Sequence, residues 1–272
     1  MTNFSFTRFA YFDTNILSTL AKRQLLWSRL FEFLKDYDLT LGIGGPQIVE
    51  LSDADRLHRE LVDLFINVPS GLLKDWLVII DEEVKAHPKK RRESLLLYPL
   101  NAVLFEENGL NKLEAFLSSE QLRDARNDQL LNAKQMYTNL TRLKPNFPAL
   151  KSGKYSRKQA DEYADLIVLQ WLTSQYRDFM ASFQSHFEDF HPEAFLSIRL
   201  HAYVIFYKYY IGQREPKKLS DFADLGHTFY IPYCDIAVME RDLCNVLTQI
   251  KHNHNILQNT EIRNIEFLDN WS

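Results

Sequence analysis

Phe9-Ala10-Tyr11-Phe12-Asp13-Thr14-Asn15-Ile16-Leu17 joins four apolar residues to an acid and then to the start of a helical pattern. Four consecutive apolar residues suit a short strand buried on both faces, as strands of a parallel sheet are. Asp13 ends the run, and Ile16, Leu20, Trp27, Leu30, Phe31 and Leu34 continue at helical spacing. Outward from here the alternation repeats. Residues 39–43 read as a second strand, and Gly44-Gly45-Pro46 turns into a helix with Pro46 at a favourable first position. Residues 76–80 read as a third strand, 236–239 as a fourth between helices near 220–229 and from Arg241, and 265–268 as a last. This alternation predicts an α/β fold with a short parallel sheet.

Between about 90 and 215 the pattern is helical only, as in 109–140 and 159–183, with a loop at 144–155 holding two prolines and Gly153. The reading is one α/β unit made of 1–90 and 216–272, interrupted by an all-helical insertion at 91–215. Eight glycines in 272 residues fit a helix-rich chain with few tight turns. No run of about 18 apolar residues exists, so no membrane span is expected. Residues 1–15 lack a basic segment followed by an apolar one, so no signal peptide is expected. Two cysteines, Cys234 and Cys244, are too few for a disulfide framework or a zinc site. These features lead to the expectation of a cytoplasmic protein in a reducing compartment.

In a parallel α/β sheet, ligands bind beyond the carboxyl ends of the strands. Asp13 follows the first strand. Glu50 lies on the helix after the second, with Asp53 one turn on. Asp221 and Asp224 share a helical face that His227 continues. Asp235 precedes the fourth strand, and Asp242 follows it after Glu240. Each acid has a structural alternative: Asp13 and Asp242 as helix caps, Asp221 and Asp224 as first-turn acids, Glu50 as an exposed helix residue. Their joint occurrence at strand ends points to a ligand. Crowded carboxylates repel unless a cation neutralises them, and hard Mg²⁺ or Mn²⁺ ions take oxygen ligands of this kind. Such ions activate water for attack on a phosphodiester.

Tyr11-Phe12-Asp13-Thr14-Asn15-Ile16-Leu17 resembles the opening of PIN domains: a hydrophobic strand, Asp, Ser or Thr, Asn, then helix. Ile48-Val49-Glu50-Leu51 resembles that family's second acidic position, and the segment from Asp224 to Asp242, eighteen residues on, its third and fourth. The resemblance covers roughly 9–80 and 219–270. It implies a three-layer α/β fold and a metal-dependent endonuclease, most often a ribonuclease, in which Asp13, Glu50, Asp224 and Asp242 hold Mg²⁺ or Mn²⁺. Asp221 and Asp235 rank second, as ligands or as groups orienting a metal-bound water. Thr14 and Asn15 would support Asp13. Where the family often has Thr-x-Asp, this chain has Glu240-Arg241-Asp242, so Glu240 is an extra ligand or replaces a hydroxyl. The family also implies a toxin or phage-defence effector, with an antitoxin or activating protein as partner.

The net charge of −4 gives no global pull toward nucleic acid. Yet no acid lies between Asp128 and Asp161, where Lys134, Arg142, Lys144, Lys151, Lys154, Arg157 and Lys158 fall among Tyr137, Phe147 and Tyr155. Cations interleaved with aromatic rings suit a single-stranded track, so Arg142 to Lys158 are the expected RNA contacts, with DNA as the alternative strand. Lys85, Lys89, Lys90, Arg91 and Arg92 form a second cluster. Tyr203, Phe206, Tyr207 and Tyr210 recur at helical spacing and read as core. Two rival functions are a non-catalytic PIN-like module that binds RNA or protein, and a haloacid-dehalogenase-like phosphatase. The phosphatase needs a second Asp where Asn15 stands.

Overall fold

Phe9–Phe12 forms strand β1, buried at every residue. The structure, a computed structural model, describes residues 8–91, 94–143, 156–212, 222 and 224–269, with the side chains of 140–143, 224 and 269 outside the description. Alternation along β1 sends Phe9 and Tyr11 to one face and Ala10 and Phe12 to the other, and each pair joins a separate core. Strand β5 (Ile236–Val238) beside it does the same, with Ala237 on the first face and Ile236 and Val238 on the second.

Among the described residues the sheet has six strands, in the order β4-β3-β2-β1-β5-β6. Strands β1, β2 (Thr40–Ile43), β3 (Ser70–Leu73), β5 and β6 (Glu261–Arg263) are parallel, and β4 (Leu96–Pro99) runs antiparallel to β3. The chain builds one half outward from β1 through β2 and β3, then returns to the other side of β1 with β5 and β6. Strand order therefore reverses between β1 and β5.

Three expectations need correction. Residues 76–80 are not a strand but the start of helix α5 (Trp76–Ala86), capped by Asp75, whose carboxylate accepts from the Leu77 N–H. A short apolar run cannot by itself separate strand from helix, and the cap decides here. The last strand is 261–263, and 266–269 is helical. The segment 91–215 is not all helical, since β4 lies within it and extends the sheet.

The helices follow local signals. Asp13 caps α1 (Thr14–Lys22), and a 3₁₀ turn at Gln24–Leu26 separates it from α2 (Trp27–Asp36). Gly44 precedes α3 (Gly45–Leu51), where buried Gln47 accepts from the Gly44 N–H and donates to the Phe12 carbonyl, each at 2.5 Å. That one side chain ties the end of β1 to the start of α3. Helix α4 (His58–Asn67) leads to β3.

Beyond β4 come α6 (Gly109–Leu117), α7 (Glu120–Leu143), α8 (Arg157–Gln175), α9 (Arg177–Ala181) and α10 (Leu196–Ile205), the last continuing as a π-helical turn, Phe206–Ile211. Val168, Leu172, Ile198 and Val204 of these helices share one core with Phe9, Tyr11 and Ala237 of the sheet. The inserted helices thus cover the sheet as its third layer. The aromatic stripe of Tyr203, Phe206, Tyr207 and Tyr210 is buried, as its spacing indicates. No helix among the described residues is long and apolar enough to cross a membrane.

Candidate functional site

The reversal of strand order between β1 and β5 opens a crevice at their carboxyl ends, the place where open α/β sheets bind ligands. Asp13 stands at the end of β1, its N–H donating to the Val238 carbonyl of β5 at 2.9 Å. Its Oδ1 accepts from the Asn15 N–H at 3.0 Å, so the cap uses that oxygen. Glu240 lies two residues beyond β5, and Asp242 is in the first turn of α11 (Arg241–Asn253). A cavity of about 470 Å³ is lined there by Asn15, Thr19, Glu240, Arg241, Asp242 and Asn264, among others.

Burial raises the Glu240 carboxyl above its ordinary value, and the negative charges of Asp13 and Asp242 push it further up. Asn15, through a hydrogen bond, and the Lys208 ammonium oppose the shift. Glu240 thus feels two other carboxylates. Mutual repulsion of this kind is what a bound cation relieves.

Glu50, on α3 after β2, is mostly shielded rather than exposed, with 9% of its side chain accessible. Its Oε2 accepts from His227 Nε2 at 3.1 Å, and its Oε1 accepts from Gln129 Nε2 at 3.3 Å. Burial works to raise the Glu50 carboxyl, but His227, a hydrogen bond from Thr14 and the Arg126 charge together hold it below its ordinary value. His227 itself is buried in the 3₁₀ helix Asp224–Phe229, with Nδ1 2.7 Å from the Tyr11 hydroxyl. Burial, then the charges of Tyr230, Glu50 and Asp13, push Tyr11 well above its ordinary value, so its hydroxyl keeps its proton beside Nδ1. Nε2 faces the Glu50 carboxylate and donates to it. Tyr11, His227 and Glu50 form one chain from the sheet core to the crevice.

The inserted helix α7 reaches the same place. Arg126 donates from Nε to Asp53 at 2.8 Å and from Nη1 to Gln129 Oε1 at 2.5 Å, and Gln129 bridges to Glu50. Tyr11, Gln47, Arg126, Gln129 and Lys208 were not singled out for this site by the sequence. Tyr11 carried a signal, standing two residues before the strand-end acid on the face opposite Phe12. The contacts of α7 carried none, because they join residues more than seventy apart.

No family model, curated protein or solved structure matches this chain.

The geometry sorts the acids and bases expected from sequence. Asp13 and Asp242 act on the charge of Glu240, while Glu50 is held separately by His227 and Gln129. Asp224 opens the 3₁₀ helix that carries His227, with its side chain outside the description. Asp221 lies outside the described residues. Asp235 is a correction. It precedes β5, so it stands at the amino end of the sheet, where its carboxylate accepts from Arg8 at 2.9 Å and from the Phe9 N–H at 3.1 Å. A residue before a parallel strand and one after it fall on opposite edges of the sheet, which removes Asp235 from the crevice.

Of the expected nucleic-acid contacts, Lys144, Lys151 and Lys154 lie outside the described residues, as does the side chain of Arg142. Arg157 and Lys158 are exposed at the start of α8, and Lys158 pairs with Glu162 at 3.5 Å. The Arg157 charge contributes, after burial, to holding His254 below its ordinary value. His254 follows the carboxyl end of α11, roughly 18 Å along the helix from Asp242 at 1.5 Å per residue. These two cations therefore stand at the far end of α11 from the acids. In the second basic cluster, Arg91 is buried against Glu82 at 2.6 Å and is not a free cation.

The donors at the crevice are hard carboxylate oxygens, which fit Mg²⁺ or Mn²⁺ in kind. In position, no three His, Cys, Asp or Glu side chains among the described residues converge as a metal set.

Proposed function

We propose that this chain is a PIN-like endonuclease that hydrolyses RNA with a divalent metal ion. The observation that carries the reading is the coincidence of three things at one point: the reversal of strand order between β1 and β5, the acids Asp13, Glu240 and Asp242, and the adjoining cavity. Asp13, Asp224, Asp242 and Glu50 would hold the ion, with Glu240 as an added donor in the position where a Thr is more usual. When bound, Mg²⁺ or Mn²⁺ supplies an activated water and neutralises charge on the phosphate.

The chain's own groups do the rest. Asn15 fixes Asp13 through its backbone N–H and supports Glu240, so both acids keep one orientation. His227 holds Glu50 ionised, with the Tyr11 hydroxyl against its other ring nitrogen. Gln129 and Arg126 brace the outer side of Glu50. Positioning of ligands by such outer partners is worth about 10- to 100-fold in metal affinity or rate.

The test is cleavage of labelled single-stranded RNA and DNA with Mn²⁺, Mg²⁺ or chelator, using wild type and Asp13→Asn. Metal-dependent cutting of RNA, abolished by Asp13→Asn and by chelation, is expected. Binding of RNA that persists in chelator without any cutting would instead favour a non-catalytic module.

A further inference from the structure

Strand β4 is the last of the sheet on its side and is hydrogen-bonded, within the sheet, to β3 alone. Its pairing shifts register between Leu72 and Leu73, which face Tyr98 and Leu96, so Leu97 between them faces no residue of β3. Leu97 is 62% exposed, and Tyr98 is exposed beside it. The Tyr98 hydroxyl donates to Glu106 Oε1 at 3.1 Å, which holds the end of the 3₁₀ helix Leu100–Phe105 close to the strand. Leu104 and Phe105 of that helix are 51% and 85% exposed. Four large apolar side chains thus stand in water along one edge, as they do where a protein contact is missing. The opposite edge differs. There β6 carries Glu261 and Arg263, which pair with each other at 2.7 Å, and a charged edge of that kind resists association.

The apolar edge is flanked by charges of opposite sign. Lys89 and Lys90 are exposed ahead of β4, and Glu106 and Glu107 are exposed just past the 3₁₀ helix. Lys112, 3.9 Å from Glu106, offsets one of the two acids. A partner of a single charge sign would be attracted at one end of this edge and repelled at the other. A second copy turned about a two-fold axis meets each end with its opposite, and every match is made twice.

We propose that this edge is a self-association surface, across which two copies of the chain meet about a two-fold axis. Leu97, Tyr98, Leu104 and Phe105 of the two copies cover one another, and Lys89 and Lys90 of each face Glu106 and Glu107 of the other. Pro99 and the shifted register leave little room for a continuous ladder, so side chains carry the contact. A specific complex takes roughly 600–1,000 Å² from each partner, more than a four-residue edge offers, so the 3₁₀ helix has to share it. In the sheet, β3 and β2 stand between β4 and β1, so the crevice stays open in the pair. Association here does not depend on the nuclease reading.

The experiment measures the mass of the full chain by sedimentation equilibrium across a dilution series. Wild type is compared with Phe105→Ser and with two charge-reversed proteins, one carrying Lys89→Glu and Lys90→Glu, the other Glu106→Lys and Glu107→Lys. An equal mixture of the reversed proteins and the melting temperature of each protein complete the set. All the altered side chains are exposed, so the proteins should melt together. Wild type should pass from one copy to two, and no further, as concentration rises. Phe105→Ser should weaken the pair about thirtyfold, the scale of a buried aromatic anchor. Each reversed protein sets like charges against like and should weaken it about tenfold or more. In their mixture every match is again between opposite charges, and association should return to that of wild type. Wild type that stays at one copy throughout overturns the inference, whatever else that edge binds. Growth beyond two copies, a pair that Phe105→Ser leaves unchanged, or a mixture no tighter than its components overturns it as well. Should Phe105→Ser melt early, the charge mixture decides without it.

Discussion

His227 donates from Nε2 to Glu50 Oε2 across 3.1 Å, while its other nitrogen lies 2.7 Å from the Tyr11 hydroxyl. The contact joins two segments 177 residues apart, the 3₁₀ helix before β5 and the helix after β2, across the carboxyl end of β1. It therefore ties the helix after β2 to the segment before β5 beside Thr14, which follows Asp13 at the end of β1.

His227→Ala leaves a buried carboxylate without its main partner, and a loss of about 3 kcal/mol is expected. Glu50→Gln, which keeps an acceptor and removes the charge, should cost less. Tyr11→Phe should cost about 1 kcal/mol, by removing the hydroxyl from Nδ1. Urea titration of the three variants checks the order. A loss under about 1 kcal/mol for His227→Ala would mean that Glu50 is not held as described.

Glu83 gives a pH signature away from the crevice. It is fully buried on α5, and its Oε1 accepts from the Ser197 N–H at 2.8 Å and the Tyr233 hydroxyl at 2.5 Å, while Oε2 has no hydrogen-bond partner among the described residues. Burial raises its carboxyl to about 7, against the pull of Tyr233, Ser197 and Arg91. The folded protein thus binds this proton more tightly than the unfolded chain. The stability it adds is full below the ordinary value of 4.5 and is lost as pH rises to about 7. The span corresponds to about 3 kcal/mol. Glu83→Gln keeps the acceptor oxygen and cannot ionise. It should melt above wild type at pH 8 and close to it at pH 5. Equal melting at both pH values would show that the carboxyl titrates normally.

The acids on the crevice were legible because each follows a strand closely, and the end of a buried run marks an edge of the sheet. Asp13 and Asp242 needed only local pattern. Asp235 was misplaced because the same pattern does not say which edge a flanking acid occupies, and chain direction does. The strand at 70–73 was overlooked because Ser70-Gly71 carries little apolar signal, while 76–80 carries much and is a capped helix. Gln129 could not be found locally, because its contact with Glu50 comes from long-range packing of the inserted helices.

Gly42 is the residue of β2 at which β1 and β3 leave no room for a side chain. A Cβ there would lie 2.6 Å from Phe9 Cδ2 and 3.0 Å from Leu73 Cδ1. Gly42→Ala should destabilise by about 2 kcal/mol through overpacking. Phe9→Leu, mildly destabilising alone, should recover part of that loss in the double variant, because it removes the ring atom that the methyl group meets. A thermal-denaturation cycle on the four proteins reads the coupling, and strict additivity would argue against the contact.

Asp13 caps α1 and, in the proposed reading, would also hold a metal ion, and different substitutions separate the two. As the cap of α1 it needs only an oxygen to accept from the Asn15 N–H, and Asn caps as well as Asp. As a metal-holding acid it needs the negative charge, which Asn lacks. Asp13→Asn should therefore fold with wild-type stability and lose cleavage by about a hundredfold or more, since a bound metal is worth several kcal/mol at the transition state. Asp13→Ala should lose cleavage equally and stability by about 1 kcal/mol in addition. Melting curves and Mn²⁺-dependent cleavage of RNA, measured on the same samples, read both roles. Cleavage retained by Asp13→Asn would leave Asp13 as a helix cap and move the chemistry elsewhere. Equal destabilisation by Asn and Ala would instead remove the cap.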